Sequence, residues 1–440
     1  MSPLNNDPLP PSPEFAVAFR SHMMVGRRRF LHGAGGLLAA ASLSRLGSAQ
    51  YPQPTSSAGQ SSVSLSPIQD VQTEGEERTP GPFEGPDQRI GFAIVGLGRL
   101  SINQILPAFG STKRCKPVAL VSGSPNKAQK MAAQYGIKTS AIYSYNDYER
   151  LAQNPDVKVI YIVLPNSMHA EYTVRAAKMG NHVLCEKPMA TSVPDCEKMI
   201  AACRTANVKL MIAYRQQYEP MNREIVKRIK SGKLGPLRSY LATLTQNQDD
   251  PRQWRLRKSL SGGGCMPDVG IYCLSASRFW SGEEPVEVYA QTFRPESDPR
   301  FSEVEATCNF TLRFPSGLLA SCNSGYAAHR SSFARIEGAE SWIELSPSFG
   351  YNGLRLQYNR LLEGKGADIQ PSISEKDQFA LEMDHMALCL MHNQQPHTPG
   401  EEGLQDIRII EAIYESARTA QPVQLRPPSA PTRGPEPEDA

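Results

Sequence analysis

A chain of 440 residues, 40% hydrophobic and 21% charged, carries enough apolar material for two ordinary globular domains plus extensions. A formal net charge of +3 is too small to indicate a nucleic-acid partner or an anionic membrane surface, and no apolar run beyond the N-terminal region reaches the length of a membrane span. The nine cysteines are scattered and form no Cys-x-x-Cys pair, which argues for buried thiols and against a disulfide framework or a metal site.

The first readable signal is N-terminal. Arg27-Arg28-Arg29-Phe30-Leu31-His32 precedes a short, mildly apolar run from Gly33 to Ala41 and the small residues Gly47-Ser48-Ala49. This pattern resembles a twin-arginine export signal cleaved after Ala49, which assigns residues 1–49 to export and the mature chain to the periplasm. Met23 or Met24, just ahead of the arginines, offers an alternative start. Because the twin-arginine route carries proteins already folded around a cofactor, export by it does not imply disulfides. Residues 50–88 are rich in Ser, Pro, Gln and Gly with no apolar period, and read as an arm or linker that builds no core of its own.

From Arg89 to about Tyr214 the pattern alternates strand and helix, as a parallel doubly wound sheet should. Ile90 to Val95 reads as a strand, Gly96-Leu97-Gly98 as a tight turn, and Arg99 to Phe109 as a helix. Such a turn brings a pyrophosphate against bare backbone at a helix N-terminus, with Ser101 standing where the fingerprint has Gly or Ala. The second strand, Val118 to Val121, ends in Ser122 rather than in the acid that would accept from ribose hydroxyls, and Lys127 follows one helical turn on. A hydroxyl and an ammonium suit a 2′-phosphate, so NADP is expected over NAD. Two further strands break at Pro165-Asn166, ahead of His169, and at Glu186-Lys187-Pro188. Lys209 to Ala213 closes the sheet, with Tyr214-Arg215 at its end.

Beyond this point a helix from Tyr218 to Lys230 is followed by alternating segments at Ser239 to Thr245, Val286 to Thr292, Ala306 to Phe314 and Leu318 to Ser324. They predict an antiparallel sheet, followed by helices at about Glu375 to Met391 and Glu401 to Ala420. Between the two halves lie Trp254-Arg255 and the run Gly262-Gly263-Gly264-Cys265-Met266-Pro267-Asp268-Val269-Gly270-Ile271-Tyr272. The glycines let backbone come close to something. If the residues after Pro267 are helical, Asp268 and Tyr272 are i and i+4 and share a face. A phenol and a carboxylate aimed at a crevice that also holds Lys187 make a proton-transfer constellation, because an ammonium stabilises a phenolate.

The segments Gly96 to Ser101, Pro165 to Ala170, Cys185 to Ala190, Gly262 to Tyr272 and Thr398 to Ala417 are together similar to the Gfo/Idh/MocA oxidoreductases, over about Arg89 to Pro422. The tyrosine at 272, where many members carry His, joins Ser122 and Lys127 in pointing to the sugar-converting subgroup of the glucose-fructose oxidoreductases. The resemblance implies an α/β Rossmann dinucleotide-binding domain over 89–214 and an α+β domain with a mostly antiparallel open-faced sheet over 215–440, for substrate binding and oligomerisation. It implies that Lys187 and Tyr272 carry the chemistry with Asp268 holding the sugar. Gly96, Leu97, Gly98, Ser122, Lys127, Tyr145, Leu164, His169, Glu186, Lys187, Arg215, Trp254 and Arg255 would line a tightly held NADP. The arm would cover the adenine of a partner subunit in a homodimer or homotetramer.

The expected reaction is oxidation of an aldose at C1 to the lactone, the hydride passing through NADP to a second sugar in a ping-pong cycle. Two features depart from the subgroup. Gln216-Gln217-Tyr218-Glu219-Pro220, expected beside the sugar pocket, lacks a His before Tyr218, and Thr245 to Gln253 is short. Both bear on the second sugar. An ordinary sugar or polyol dehydrogenase with exchangeable cofactor and a non-catalytic sugar-binding protein are the alternatives; the joint presence of Lys187, Asp268 and Tyr272 argues against the latter.

Overall fold

The computed structural model describes residues 89–437, so the expected export signal and arm lie outside the described residues. Six strands, β1 (Ile90–Val95), β2 (Cys115–Val121), β3 (Ile142–Tyr143), β4 (Val159–Ile162), β5 (His182–Glu186) and β6 (Leu210–Ala213), pair in the order β3-β2-β1-β4-β5-β6. Every pairing is parallel. β4 and β6 are buried at each position, as apolar strands covered on both faces must be. Helices α1 (Leu106–Ala108), α2 (Pro125–Gln134), α3 (His169–Lys178) and α4 (Val193–Thr205) lie in the connections. Ser192 starts α4 by accepting from the Asp195 amide, with Pro194 in the first turn. Strand order reverses between β1 and β4, and the carboxyl ends of those strands open the crevice where such sheets take ligands.

The chain continues through α5 (Pro220–Lys230), β7 (Leu237–Asn247), α6 (Lys258–Ser261) and α7 (Ile271–Ser281) into β8 (Glu287–Phe293), β9 (Thr307–Arg313) and β10 (Leu319–Gly325). Then come β11 (Ala327–Gly338), β12 (Trp342–Leu345), β13 (Leu356–Leu362), β14 (Lys365–Ile369), α8 (Gln378–Met391), α9 (Gly400–Thr419) and β15 (Val423–Gln424). The second sheet runs β14-β13-β12-β11-β7-β10-β9-β8-β15. Its pairings are antiparallel except at the centre, where β10 lies parallel to β7. The route from β7 through α6 and α7 is the long crossover that a parallel pair needs, and β8, β9 and β10 then meander back to β7. Strands β11 to β14 were not anticipated, because the first half of β11, Ala-Ala-His-Arg-Ser-Ser, shows no apolar alternation.

Helix α7 packs on β7 and β10, while α9 packs on β8 and also reaches α4 and β6, tying the second sheet to the first. Arg278 of α7, wholly buried, pairs with Glu402 and Asp406 of α9 at 2.9 and 2.5 Å. The opposite face of the mixed sheet exposes Leu241, Tyr289, Phe293 and Leu319. All nine cysteines are buried and none is in a disulfide. Among the described residues no helix is long and apolar enough to cross a membrane.

Candidate active site

The glycine turn after β1 is shaped by two different demands. Gly96 has φ +96°, and a Cβ there would lie 2.3 Å from the Val163 carbonyl oxygen, so conformation and space both require glycine. At Gly98 an added Cβ would meet nothing within 4 Å, because that side of the turn faces open cleft. Ser101 donates its hydroxyl to the Gly96 carbonyl at 2.5 Å, which explains a serine at the third fingerprint position: it closes the turn. The helix begins with a π turn, Ser101–Ile105, a wide geometry that recurs at functional sites. The Lys127 ammonium donates to the Leu97 carbonyl at 3.2 Å and is lowered from its ordinary range by partial burial. Ser122 accepts from the Ser124 amide at 3.1 Å. Hydroxyl and ammonium thus stand on the same side of the turn, both lining the cleft.

Across the cleft, of about 450 Å³, lies the second constellation. Lys187, at the end of β5, donates to the main-chain oxygen of Asp268 at 2.8 Å and lies 3.4 Å from its carboxylate. That carboxylate also accepts from the Tyr326 hydroxyl at 2.5 Å and pairs with Arg255 at 3.3 Å. The Lys187 ammonium sits over the Tyr272 ring, 4.5 Å from its centroid. Burial disfavours the ammonium, but Tyr272, Asp268 and Glu186 outweigh it, and Lys187 is held above its ordinary range. A second cation, Arg215, lies 5.0 Å from the same ring centroid, and Phe349 stacks on that ring at 6.0 Å. Arg215 is fixed by donating to the Phe349 and Gly350 carbonyls at 2.9 and 3.2 Å and to Gln378 of α8 at 2.5 Å.

Of the residues singled out in the sequence, Gly96, Leu97, Gly98, Ser122, Lys127, Tyr145, Leu164, Glu186, Lys187, Arg215, Trp254, Arg255, Asp268 and Tyr272 all line this one cleft. His169 does not. It is fully buried, with Nδ1 2.9 Å from the Pro188 carbonyl and Nε2 2.9 Å from that of Leu164. Burial outweighs these carbonyls and lowers the imidazole. An imidazole held at both nitrogens between two backbone oxygens is a strut joining the ends of β4 and β5 and does not line the cleft, which corrects the expectation of a cofactor contact.

Three other expectations change. The regular helix foreseen after Pro267 is a second π turn, Met266–Gly270, and only then α7, so Asp268 enters the cleft from the wider spiral. The glycine run accommodates protein rather than ligand. A Cβ on Gly263 would lie 1.9 Å from the Tyr414 hydroxyl, and one on Gly264 2.1 Å from the Glu305 carbonyl oxygen. The Glu305 carboxylate accepts from the Gly264 and Met266 amides and from Tyr414, each at 2.9 Å, and so anchors the turn that presents Asp268. Finally, Gln216 to Glu219 face the interior. Gln217 donates to Glu402 at 3.1 Å, Tyr218 and Thr398 share a hydroxyl contact of 2.8 Å, and Glu219 caps α5. The missing histidine therefore says nothing about the sugar pocket.

The cleft also holds residues that sequence reasoning missed: Arg99, Thr245, Gln246, Arg330, Ser332 and Tyr351. Thr245 donates to the His329 carbonyl at 2.7 Å, joining β7 to β11 at the wall opposite the glycine turn. The β7–β11 pairing brings Thr245, Gln246, Arg330 and Ser332 together, whereas Arg99 follows the glycine turn and Tyr351 lies beyond β12. The donor-rich wall, with amide, guanidinium and hydroxyl groups, suits a polyhydroxylated ligand. The open space beside Gly98, the bare backbone of the turn and the Ser122–Lys127 pair fit a phosphorylated dinucleotide.

Comparison with known proteins agrees. The family model described as an oxidoreductase family with an NAD-binding Rossmann fold matches residues 90–214, and that of the GFO/IDH/MocA C-terminal domain matches 222–344. A D-xylose 1-dehydrogenase [NADP(+)] of Haloarcula marismortui is 32% identical over 77% of this chain and 94% of its own. A D-xylose 1-dehydrogenase (NADP(+)) of Haloferax volcanii is 28% identical over 76% of this chain and 99% of its own. Among solved structures, an aldose-aldose oxidoreductase from Caulobacter crescentus, complexed with glycerol, is 43% identical and superposes with a TM-score of 0.74, covering 77% of this chain and 100% of that one.

Proposed function

The chain belongs to the GFO/IDH/MocA oxidoreductase family, and on that premise we propose that it oxidises an aldose at C1 with NADP and returns the hydride to a second sugar without releasing the cofactor. The observation that carries this reading is the convergence of Lys187, Asp268 and Tyr272 on the cleft that also holds the glycine turn. When bound, NADP supplies the acceptor and then the donor of the hydride. The chain supplies the rest. Tyr272, as phenolate, accepts the proton of the C1 hydroxyl as the lactone forms, and returns it to the acceptor sugar. Lys187, over the ring, stabilises the phenolate. Asp268, held by Tyr326, Arg255 and Lys187, orients a sugar hydroxyl. Lys127 and Ser122 favour the 2′-phosphate, which the NADP(+) specificity of both xylose dehydrogenases supports.

The name of the Caulobacter protein supports a second aldose as acceptor beside the ketose fructose. The xylose dehydrogenases support the other reading, a dehydrogenase that exchanges its cofactor. One experiment separates them: purified protein with nothing added is followed by nicotinamide absorbance and fluorescence while glucose or xylose is added, then a second aldose or fructose. Bound cofactor that is reduced by the first sugar and reoxidised by the second supports the ping-pong cycle. A protein that arrives empty and turns over only with free NADP overturns retention and favours the dehydrogenase. We also propose a periplasmic location, from the resemblance of residues 27–49 to a twin-arginine export signal; fractionation of cells with Arg27 and Arg28 replaced by lysine tests this, with retention in the cytoplasm expected.

A further inference from the structure

Behind Lys187 the first sheet and α8 enclose a pair of carboxylates that the chemistry above does not use. Tyr161 of β4 points its hydroxyl at Glu186 Oε1, 2.8 Å away, and at Glu382 Oε1, 3.0 Å away. Tyr161 and Glu382 are fully buried and Glu186 nearly so. Glu382 Oε2 is buried without a hydrogen-bond partner among the described residues. A phenol has one proton to give. Two ionised carboxylates sharing it would leave one oxygen facing only lone pairs, in a place water does not reach.

We propose that Glu382 carries a proton at neutral pH and donates it to the Tyr161 oxygen, while Tyr161 donates to an ionised Glu186. Glu382 is thereby a positioning residue, acting through Tyr161 on the carboxylate next to Lys187. The surroundings decide which acid keeps the proton. Burial raises Glu186 as well, but less far than Glu382, because the adjoining charges of Lys187 and Arg215 favour its ionised form. Glu382 shares Arg215 but lacks Lys187, and faces the negative charges of Glu186 and of Asp377 on its own helix, with the phenols of Tyr161 and Tyr218 as its other titratable neighbours. Burial adds to this, and Glu382 is pushed well above the carboxylate range. The same helix fixes Arg215 one turn earlier through Gln378, so α8 bears both on Arg215, 5.0 Å from the Tyr272 ring centroid, and on the anion beside Lys187, 4.5 Å from it.

The role toward Lys187 rests on the proposed oxidoreductase chemistry, whereas the proton itself is read without turnover. Infrared spectra of the full-length protein at neutral pH, in H₂O and D₂O, are expected to show a deuterium-sensitive carbonyl band of a buried carboxylic acid that Glu382→Gln removes. With sugar turnover, Glu382→Gln, which keeps a neutral donor at the same place, is expected to hold kcat and KM within about twofold and to lose any alkaline limb of the parental pH profile. Glu186→Gln is expected to lower kcat by roughly ten- to a hundredfold. Absence of the band from the parent overturns the proposal, as does a kcat loss in Glu382→Gln equal to that in Glu186→Gln. Tyr161→Phe, which severs the link while leaving the acid in place, should keep the band and lower kcat; unchanged kcat would overturn the positioning role.

Discussion

At the scale of single residues, the glycine turn separates two reasons for a glycine. Gly96→Ala places a side chain at positive φ and against the Val163 carbonyl, and is expected to cost about 1–2 kcal/mol for the backbone alone, with the clash added, read as a lower Tm. Gly98→Val fills empty space and should leave Tm within about a degree or two while weakening NADP binding in calorimetric titration, since its Cβ points into the cleft. Equal loss of stability in both would contradict the geometry. For the proton-transfer group, Tyr272→Phe removes the hydroxyl but keeps the ring that Lys187 and Arg215 approach, so kcat should fall by roughly 10²–10⁴-fold with little change in cofactor affinity. Sequence reasoning reached these residues because each is tied to a local pattern: a strand running into glycines, or a charged pair after an apolar strand. It misplaced His169, since nothing local distinguishes an imidazole facing a ligand from one wedged between two carbonyls.

At the scale of elements, α7 and α9 are joined by charge inside the protein. Arg278 has no exposure and meets Glu284, Glu402 and Asp406, and Thr432 and Arg433 also bond Glu402. Burial raises the Glu402 carboxyl, but Arg278 and Arg433 outweigh it and hold it down at about 2, while burial leaves Asp406 up at about 6. Arg278→Leu would strand two buried acids, and chemical denaturation is expected to show about 3–5 kcal/mol less stability. Helix α8 brings a pH dependence. His385 is pushed down to about 3, by burial first and then by the charges of His397 and Arg223. Its unfolded value is about 6.5, so the unfolded chain binds the proton first. Its contribution is therefore complete above about pH 6.5 and falls on acidification by up to about 1.4 kcal/mol per pH unit until the folded value is reached. Melts between pH 7 and 4 should show a steeper loss for the parent than for His385→Gln, as buried His397 and His182 keep part of the slope in both.

At the scale of the whole molecule, the cleft is made by two sheets that share α9 as a common brace, so cofactor binding and global stability are linked. NADP at a hundredfold its dissociation constant is expected to add about 2.7 kcal/mol, seen as a higher Tm in scanning calorimetry, and Lys127→Ala should erase the advantage of NADP over NAD. The parallel sheet, the glycine turn and the positions of Lys187, Asp268 and Tyr272 were legible in the sequence, because strand burial, turn chemistry and helix starts are written in neighbouring residues. The parallel β7–β10 pair, the β11 wall with Arg330 and Ser332, the brace through Arg278, and Glu382 behind Tyr161 were not. Each joins residues far apart in the chain, and only the packing of the two sheets, where apolar burial outweighs local preference, decides which distant polar groups meet.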